Sequence, residues 1–235
     1  MTHPRFACLI PAHDEASRIG AVLAAVVGHP LIDQVLVIDD GSRDGTAAVA
    51  QAAGAEVMRL DPNRGKTRAL AEGIARVDAD YLVLIDADLI GLTAPDVTAL
   101  IEPVAQCRAG ATLSLRGNAP RTWRAIGVDY ISGERVIPRA LIAPYLHHLH
   151  GLPRFGFEVF LNERLAEARI PVAIVDWHRV SSPAKSVKRG RWRGGLADLR
   201  MIIDILRTVG PRQIARQITY LRQGRPRDVA QRAGR

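Results

Sequence analysis

Four short apolar runs, at residues 6–10, 34–38, 55–58 and 81–85, punctuate the first third of the chain. Each is too short for a helix, and most are apolar throughout instead of alternating, which is how a strand covered on both faces reads. Between them lie Ala-rich stretches of helical length at 16–27, 46–53 and 67–77. Strand and helix alternating at this spacing marks repeated βαβ units, so the pattern predicts an α/β domain built on a doubly wound, mostly parallel sheet. The alternation loosens beyond Ile85, with a helix at 95–107, a strand at 111–115, a polar loop at 118–124, a helix at 155–168 and a strand at 172–177. Ser181-Ser-Pro-Ala184 then breaks it.

The rest of the chain has another period. Leu196, Leu199, Ile203 and Leu206 fall three and four apart, as do Ile214, Ile218 and Leu221, and Pro211 follows Gly210 where a helix begins. These read as C-terminal amphipathic basic helices, the second with Arg212, Arg216 and Arg222 on its polar faces. The expected organisation is a domain over 1–184 and a helical tail over 185–235. Charge sharpens that division. The 235 residues carry +8 in all, yet residues 185–235 hold fourteen Lys and Arg against three acids, a net +11 that leaves −3 for residues 1–184. Basic amphipathic helices lie on anionic membrane surfaces, so such a surface is the tail's expected partner. No apolar run reaches the roughly 18–20 residues that cross a bilayer. The first residues lead straight into a strand without the pattern of a secretory leader. Cys8 and Cys107 lack metal-ligand spacing and read as free thiols. A cytoplasmic protein, peripheral at the inner face of the membrane, is the expectation.

Open parallel sheets bind ligands beyond the carboxyl ends of their strands. Here the first predicted strand ends in Pro11-Ala-His-Asp-Glu15, the second in Asp39-Asp40-Gly-Ser42 and the fourth in Asp86-Ala-Asp88. On one edge, these ends crowd carboxylates that repel one another unless a cation compensates. A hard divalent ion, Mg²⁺ or Mn²⁺, takes oxygen ligands of this kind and usually holds substrate phosphates too. In extended chain, residues i and i+2 point the same way, so Asp86 and Asp88 can face one ion. Alone, that triplet reads more simply as a strand ending in solvated acids; two further acidic strand ends shift the balance to the ion.

Taken in order, Pro11-Ala-His-Asp-Glu15, Val37-Ile-Asp-Asp-Gly-Ser42 with Asp44, Asn63-Arg-Gly-Lys66 and Asp86-Ala-Asp88 resemble the family 2 glycosyltransferases of GT-A, Rossmann-like fold. Within them the dolichyl- or polyprenyl-phosphate sugar synthases are most similar. The resemblance is firm over about residues 6–90 and looser from there to about 190, through Ser182-Pro-Ala-Lys185. It implies transfer of a sugar from a nucleoside-diphosphate donor, UDP- or GDP-linked. Pro11, Ala12, His13 and Glu15 would line the nucleoside pocket, Asp40 would bond the base, and Lys66 would sit near the nucleotide. Asp86, with Ala87, would face ribose or metal. Asp88 would bind the metal that neutralises the diphosphate leaving group, and so counts with the catalytic residues. His13 and Asp14 stand where the family commonly has Tyr and Asn.

Gly133-Glu-Arg135, after Ser132, resembles an acceptor-side element of that branch, which brings Arg135 into the expected site. Glu158 is the candidate general base for an alcohol acceptor, whereas a phosphate acceptor needs none. A first-turn acid favoured by the helix dipole is its second reading. His178 stands where a third metal ligand is expected, and Arg179 and Lys185 where cations would contact phosphate. An ordinary edge residue and solvated surface charges are the competing readings. His147, His148 and His150 match no ligand pattern and read as a solvated helix end. The implied acceptor is polyprenyl phosphate or another membrane-borne molecule. A retaining enzyme with a small soluble acceptor, similar to glucosyl-phosphoglycerate synthase, and a non-catalytic nucleotide-sugar binding module are the alternatives. A nucleotidyltransferase would need a Gly-rich, Arg-containing signature after the first strand. No nucleic-acid partner is expected: one would account for the basic tail but not for three acidic strand ends, which repel a polyanion unless a metal intervenes.

Overall fold

The apolar runs form the middle of a sheet. In the computed structural model, which describes residues 3–152, 156–183 and 210–223, strands β1 (Phe6–Ala12), β2 (Gln34–Asp40), β3 (Glu56–Leu60) and β4 (Tyr81–Leu84) alternate with helices α1 (Ile19–Val26), α2 (Thr46–Ala52) and α3 (Lys66–Arg76). There follow α4 (Ala94–Ala105), β5 (Ala111–Arg116), α5 (Arg121–Ile126), β6 (Arg135–Pro138), α6 (Leu146–Leu149), α7 (Gly156–Glu167), β7 (Val172–Trp177) and α8 (Pro211–Gln223). The strand order is β3-β2-β1-β4-β6-β5-β7. Every pair is parallel except those of β6, which runs antiparallel to β4 and β5. The winding reverses between β1 and β4, the switch point at which open sheets take ligands.

Helices cover both faces, and this explains why the strands read as continuous apolar runs. Successive side chains point to opposite faces of a sheet. Along β1, Ala7 and Leu9 enter the core shared with α3, α6 and α7, while Phe6, Cys8 and Ile10 enter the core shared with α1 and α4.

Three features depart from the sequence reading. Helix α1 begins at Ile19 and not near residue 16, because Thr46 Oγ1 and an Asp44 carboxylate oxygen take up the N–H groups of Glu15 and Ala16. The expected loop at 118–124 is partly helical: α5 starts after Pro120, and Trp123 anchors it against Tyr130 with ring centroids 5.7 Å apart. Strand β6 was hidden, since a four-residue run opening on Arg135 and closing on Pro138 carries no strand signal of its own.

Helix α8 forms where Pro211 and the apolar spacing placed a helix, but it packs as part of the domain. Ile214 and Leu221 join the core beside α7, with Ile218 against it. Gln217, fully buried, accepts a hydrogen bond from Tyr130 Oη at 2.6 Å. Gln213 donates to Glu163 at 2.6 Å, and Tyr220 Oη donates to the Ile170 carbonyl. The outward side of α8 is therefore its basic one, with Arg212, Arg216 and Arg222 exposed. The stripe of Leu196 to Leu206 lies outside the described residues. Among the described residues no helix is long and apolar enough to cross a membrane. Tyr130→Phe leaves the buried Gln217 oxygen without its donor, and urea unfolding is expected to show a loss of about 1–3 kcal/mol.

Candidate active site

Strands β2, β1 and β4 are adjacent, so their three acidic ends lie about 5 Å apart along one sheet edge. The loops beyond β1 and β2 are stitched together. Asp14 N–H donates to Ser42 Oγ at 3.0 Å, Arg43 N–H donates to Asp14 Oδ1 at 2.8 Å, and Glu15 N–H donates to Thr46 Oγ1 at 2.9 Å. Asp14 sits at φ 55, a left-handed conformation that Asp and Asn tolerate better than most side chains. That is a backbone reason for a short polar side chain at this position. Asp39 is buried and accepts the Ser42 N–H at 3.0 Å, which pins the turn. Asp40 accepts the N–H groups of Arg64 at 3.0 Å and Gly65 at 2.7 Å and so fixes the start of α3. Each Asp40 oxygen keeps a further lone pair. His13 Nδ1 lies 2.9 Å from the Asp40 carbonyl, which can only accept, so Nδ1 carries the proton.

An open cleft of about 240 Å³ lies beyond these ends. Pro11, Ala12, His13, Glu15, Asp40, Lys66, Asp86, Ala87 and Asp88 all line it, together with Asn63, Gly65 and Ala69. Glu15 faces the cleft with its carboxylate held by Arg18. Lys66 Nζ stands 2.7 Å from Asp86 Oδ1 and 3.5 Å from Glu158 Oε1. Burial works against the Lys66 charge, but Asp86 and Glu158 outweigh it and raise its pKa. Burial likewise pushes Asp86 up, and Lys66, then Arg116 and Arg135, more than offset this and hold it below the usual carboxylate range.

Asp88 differs. Burial raises its pKa, and the like charges of Asp86, Glu15 and Glu134 raise it further. Among the described residues its carboxylate has neither a hydrogen bond nor an ion-pair partner. Positive charge is what the site lacks at Asp88. That fits a hard divalent ion, which is commonly held by one or two carboxylates and completed by substrate phosphates and water. Among the described residues no three His, Cys, Asp or Glu side chains are gathered as a ligand set. The chain after β7 does return to this loop, through the paired Ile90 and Ser181, but the turn leaves His178 exposed and outside the cleft. A shell of Asp86, Asp88 and His178 is therefore not assembled here.

The other expected residues are placed as follows. Arg135 does not line the cleft: it is 1% exposed, and its guanidinium donates to the Ser132 carbonyl and, at 3.1 Å, to Asn162 Oδ1. Its work is to hold the loop before β6. Glu158 is buried in the first turn of α7, with Lys66 between it and Asp86. Arg179 is exposed, with its carbonyl close to Gly91. Lys185 lies outside the described residues. His147, His148 and His150 are exposed around the end of α6.

Sequence reasoning missed Arg116, which ends β5. Its guanidinium meets Asp129 at 3.2 Å, Glu134 at 3.3 Å and the Ser182 hydroxyl. Ser114 and Ser132 donate to the same Glu134 carboxylate at 2.9 and 2.7 Å. Burial lowers the Arg116 pKa, and Glu134 and Asp129 raise it by more. The available signal was a cation at a strand's carboxyl end. Gly133 was in view but not its reason: a Cβ there would lie 2.9 Å from both Asp86 carboxylate oxygens and 2.8 Å from Lys66 Nζ.

A largely parallel, doubly wound sheet with an acidic cleft at its switch point is the architecture of the GT-A type fold. Residues 7–144, more than half of the chain, match the model of the glycosyl transferase family 2, and the chain belongs to that family. A curated relative, 4,4'-diaponeurosporenoate glycosyltransferase of Staphylococcus aureus (strain USA300), is 36% identical over 91 residues, covering 33% of this chain and 24% of the relative. The same protein of strain MRSA252 is 34% identical over the same length. The chain thus spans about a quarter of the length of these relatives. Among solved structures, glucosyl-3-phosphoglycerate synthase from Mycobacterium tuberculosis with Mn²⁺, UDP-glucose and phosphoglyceric acid superposes with a TM-score of 0.64 at 23% identity, covering 77% of this chain and 72% of that one. Its complex with Mn²⁺ and UDP-glucose gives 0.63 at 24% identity, with 77% and 71% covered. At this identity the likeness concerns the fold.

Proposed function

We propose that this chain is a metal-dependent glycosyltransferase that takes a sugar from a nucleoside-diphosphate sugar, UDP- or GDP-linked. The observation that carries the reading is Asp88, a cleft-lining carboxylate with no ion-pair partner among the described residues, beside an Asp86 that has one. Pro11, Ala12 and His13 form the nucleoside wall, and Asp40 offers its remaining lone pairs to the base. Asp88 and Asp86 hold Mg²⁺ or Mn²⁺, and His178 joins them only if its turn moves inward. When bound, the ion neutralises the charge that develops on the departing diphosphate. The Mn²⁺ and UDP-glucose in the neighbouring structures support this donor chemistry.

For the acceptor we favour a membrane-borne phosphate such as polyprenyl phosphate, reached by peripheral contact with an anionic membrane. Support comes from the +11 of residues 185–235 and the exposed arginines of α8. Arg179 and Lys185 are the candidate cations for its phosphate. A small phosphorylated acceptor is the second reading, favoured by the phosphoglyceric acid held in the neighbouring fold. Incubation of UDP- and GDP-sugars with either polyprenyl phosphate in anionic vesicles or 3-phosphoglycerate separates the two, and no product with any donor would remove both. Glu158→Gln adds a diagnostic. An alcohol acceptor predicts a loss of about 10²–10⁴-fold in rate for want of a base, whereas a phosphate acceptor predicts no such loss.

A further inference from the structure

The ammonium of Lys66 stands against an oxygen that the donor's ion needs. Its Nζ is 2.7 Å from Asp86 Oδ1, closer than to any other carboxylate it faces. Gly133 closes the far side, for even a methyl group there would fall 2.8 Å from Nζ and 2.9 Å from both Asp86 oxygens. Ammonium and ion therefore compete for one carboxylate. The lysine also has somewhere to go. It is the first residue of α3, its helix start is pinned by Asp40 through Arg64 and Gly65, and its side chain is 40% exposed along the cleft wall. A long flexible stem on a fixed base can swing without moving the backbone.

Resting on the glycosyltransferase reading, we propose that Lys66 is a displaceable internal counter-ion: it holds Asp86 until a divalent ion arrives together with the donor diphosphate, to which the freed ammonium then moves. An ion alone would meet the ammonium's like charge at a few ångströms, which weakens its hold on Asp86 and Asp88. A diphosphate takes up both cations. Metal and nucleotide binding are thus coupled through one side chain, and coupling is reciprocal.

The test is calorimetric titration of Mn²⁺ alone, and of UDP and GDP with Mn²⁺ present, into the wild type, Lys66→Met and Lys66→Gln, with thermal melting to establish folding. Both variants are expected to bind Mn²⁺ alone about tenfold more tightly than wild type and the nucleotide–Mn²⁺ pair about tenfold more weakly. Unchanged or weaker binding of Mn²⁺ alone overturns the proposal and leaves the donor site intact. A wild type that binds neither nucleotide with Mn²⁺ overturns the glycosyltransferase reading itself. Should neither variant fold, the side-chain ¹⁵N resonance of Lys66 in the wild type decides. It is expected to shift when Mg²⁺ and the nucleotide saturate the site, and its persistence unchanged counts against displacement.

Discussion

Asp88→Asn is expected to lower kcat/KM for sugar transfer by about three orders of magnitude while leaving the protein at least as stable as wild type. The first effect follows from the several kcal/mol that metal-borne charge stabilisation supplies, at about 1.4 kcal/mol per tenfold. Asp88 lines the cleft beside Asp86 and, among the described residues, has neither a hydrogen bond nor an ion pair to hold it away from an ion. The second effect has the opposite sign. Burial and the carboxylates of Asp86, Glu15 and Glu134 raise its pKa in the folded state. A carboxyl that binds its proton more tightly folded than unfolded disfavours folding when ionised, so its neutral amide relieves the fold at neutral pH. Steady-state kinetics with urea unfolding on the same sample checks both halves. A variant that loses activity because it unfolds would contradict this account of the residue.

Gly133→Ala is expected to weaken metal-dependent nucleotide binding by about 10–100-fold, the range seen when the groups that orient a metal ligand are disturbed. The added methyl would stand 2.9 Å from both Asp86 oxygens, closer than side-chain carbons approach such atoms. Lys66 can bend away, but Asp86 is short and sits just beyond the end of β4, so it must turn. Stability should fall little, because the nearest atoms the methyl meets are the ends of two side chains. Calorimetry with the donor nucleotide identified on the wild type gives the number. Wild-type affinity in Gly133→Ala would mean that Asp86 is free to re-orient and that the close approach has no function.

Much of this was legible because it is local. Apolar runs of strand length between Ala-rich helices announced β1 to β4, and their acidic ends announced the cleft, since neighbouring parallel strands end on one edge. The part that escaped depends on distant pairings. Arg116 matters through Asp129 and Glu134, in the loop before β6, and Ser182, beyond β7. Arg135 looked like a binding cation, yet antiparallel β6 buries it between Ser132 and Asn162. The period of α8 was read correctly as amphipathic, but periodicity does not say what covers the apolar face. Ile214 and Leu221 in the core and buried Gln217, facing Tyr130, tie it to the domain.

The most direct test of the central claim is calorimetric titration of UDP and GDP into the wild type and Asp88→Asn, with Mn²⁺ and then with a chelator. The donor-site account predicts binding of one base that requires Mn²⁺ and is lost in the variant. Binding that survives both the chelator and the loss of Asp88, or no binding of either nucleotide to the wild type, would contradict it.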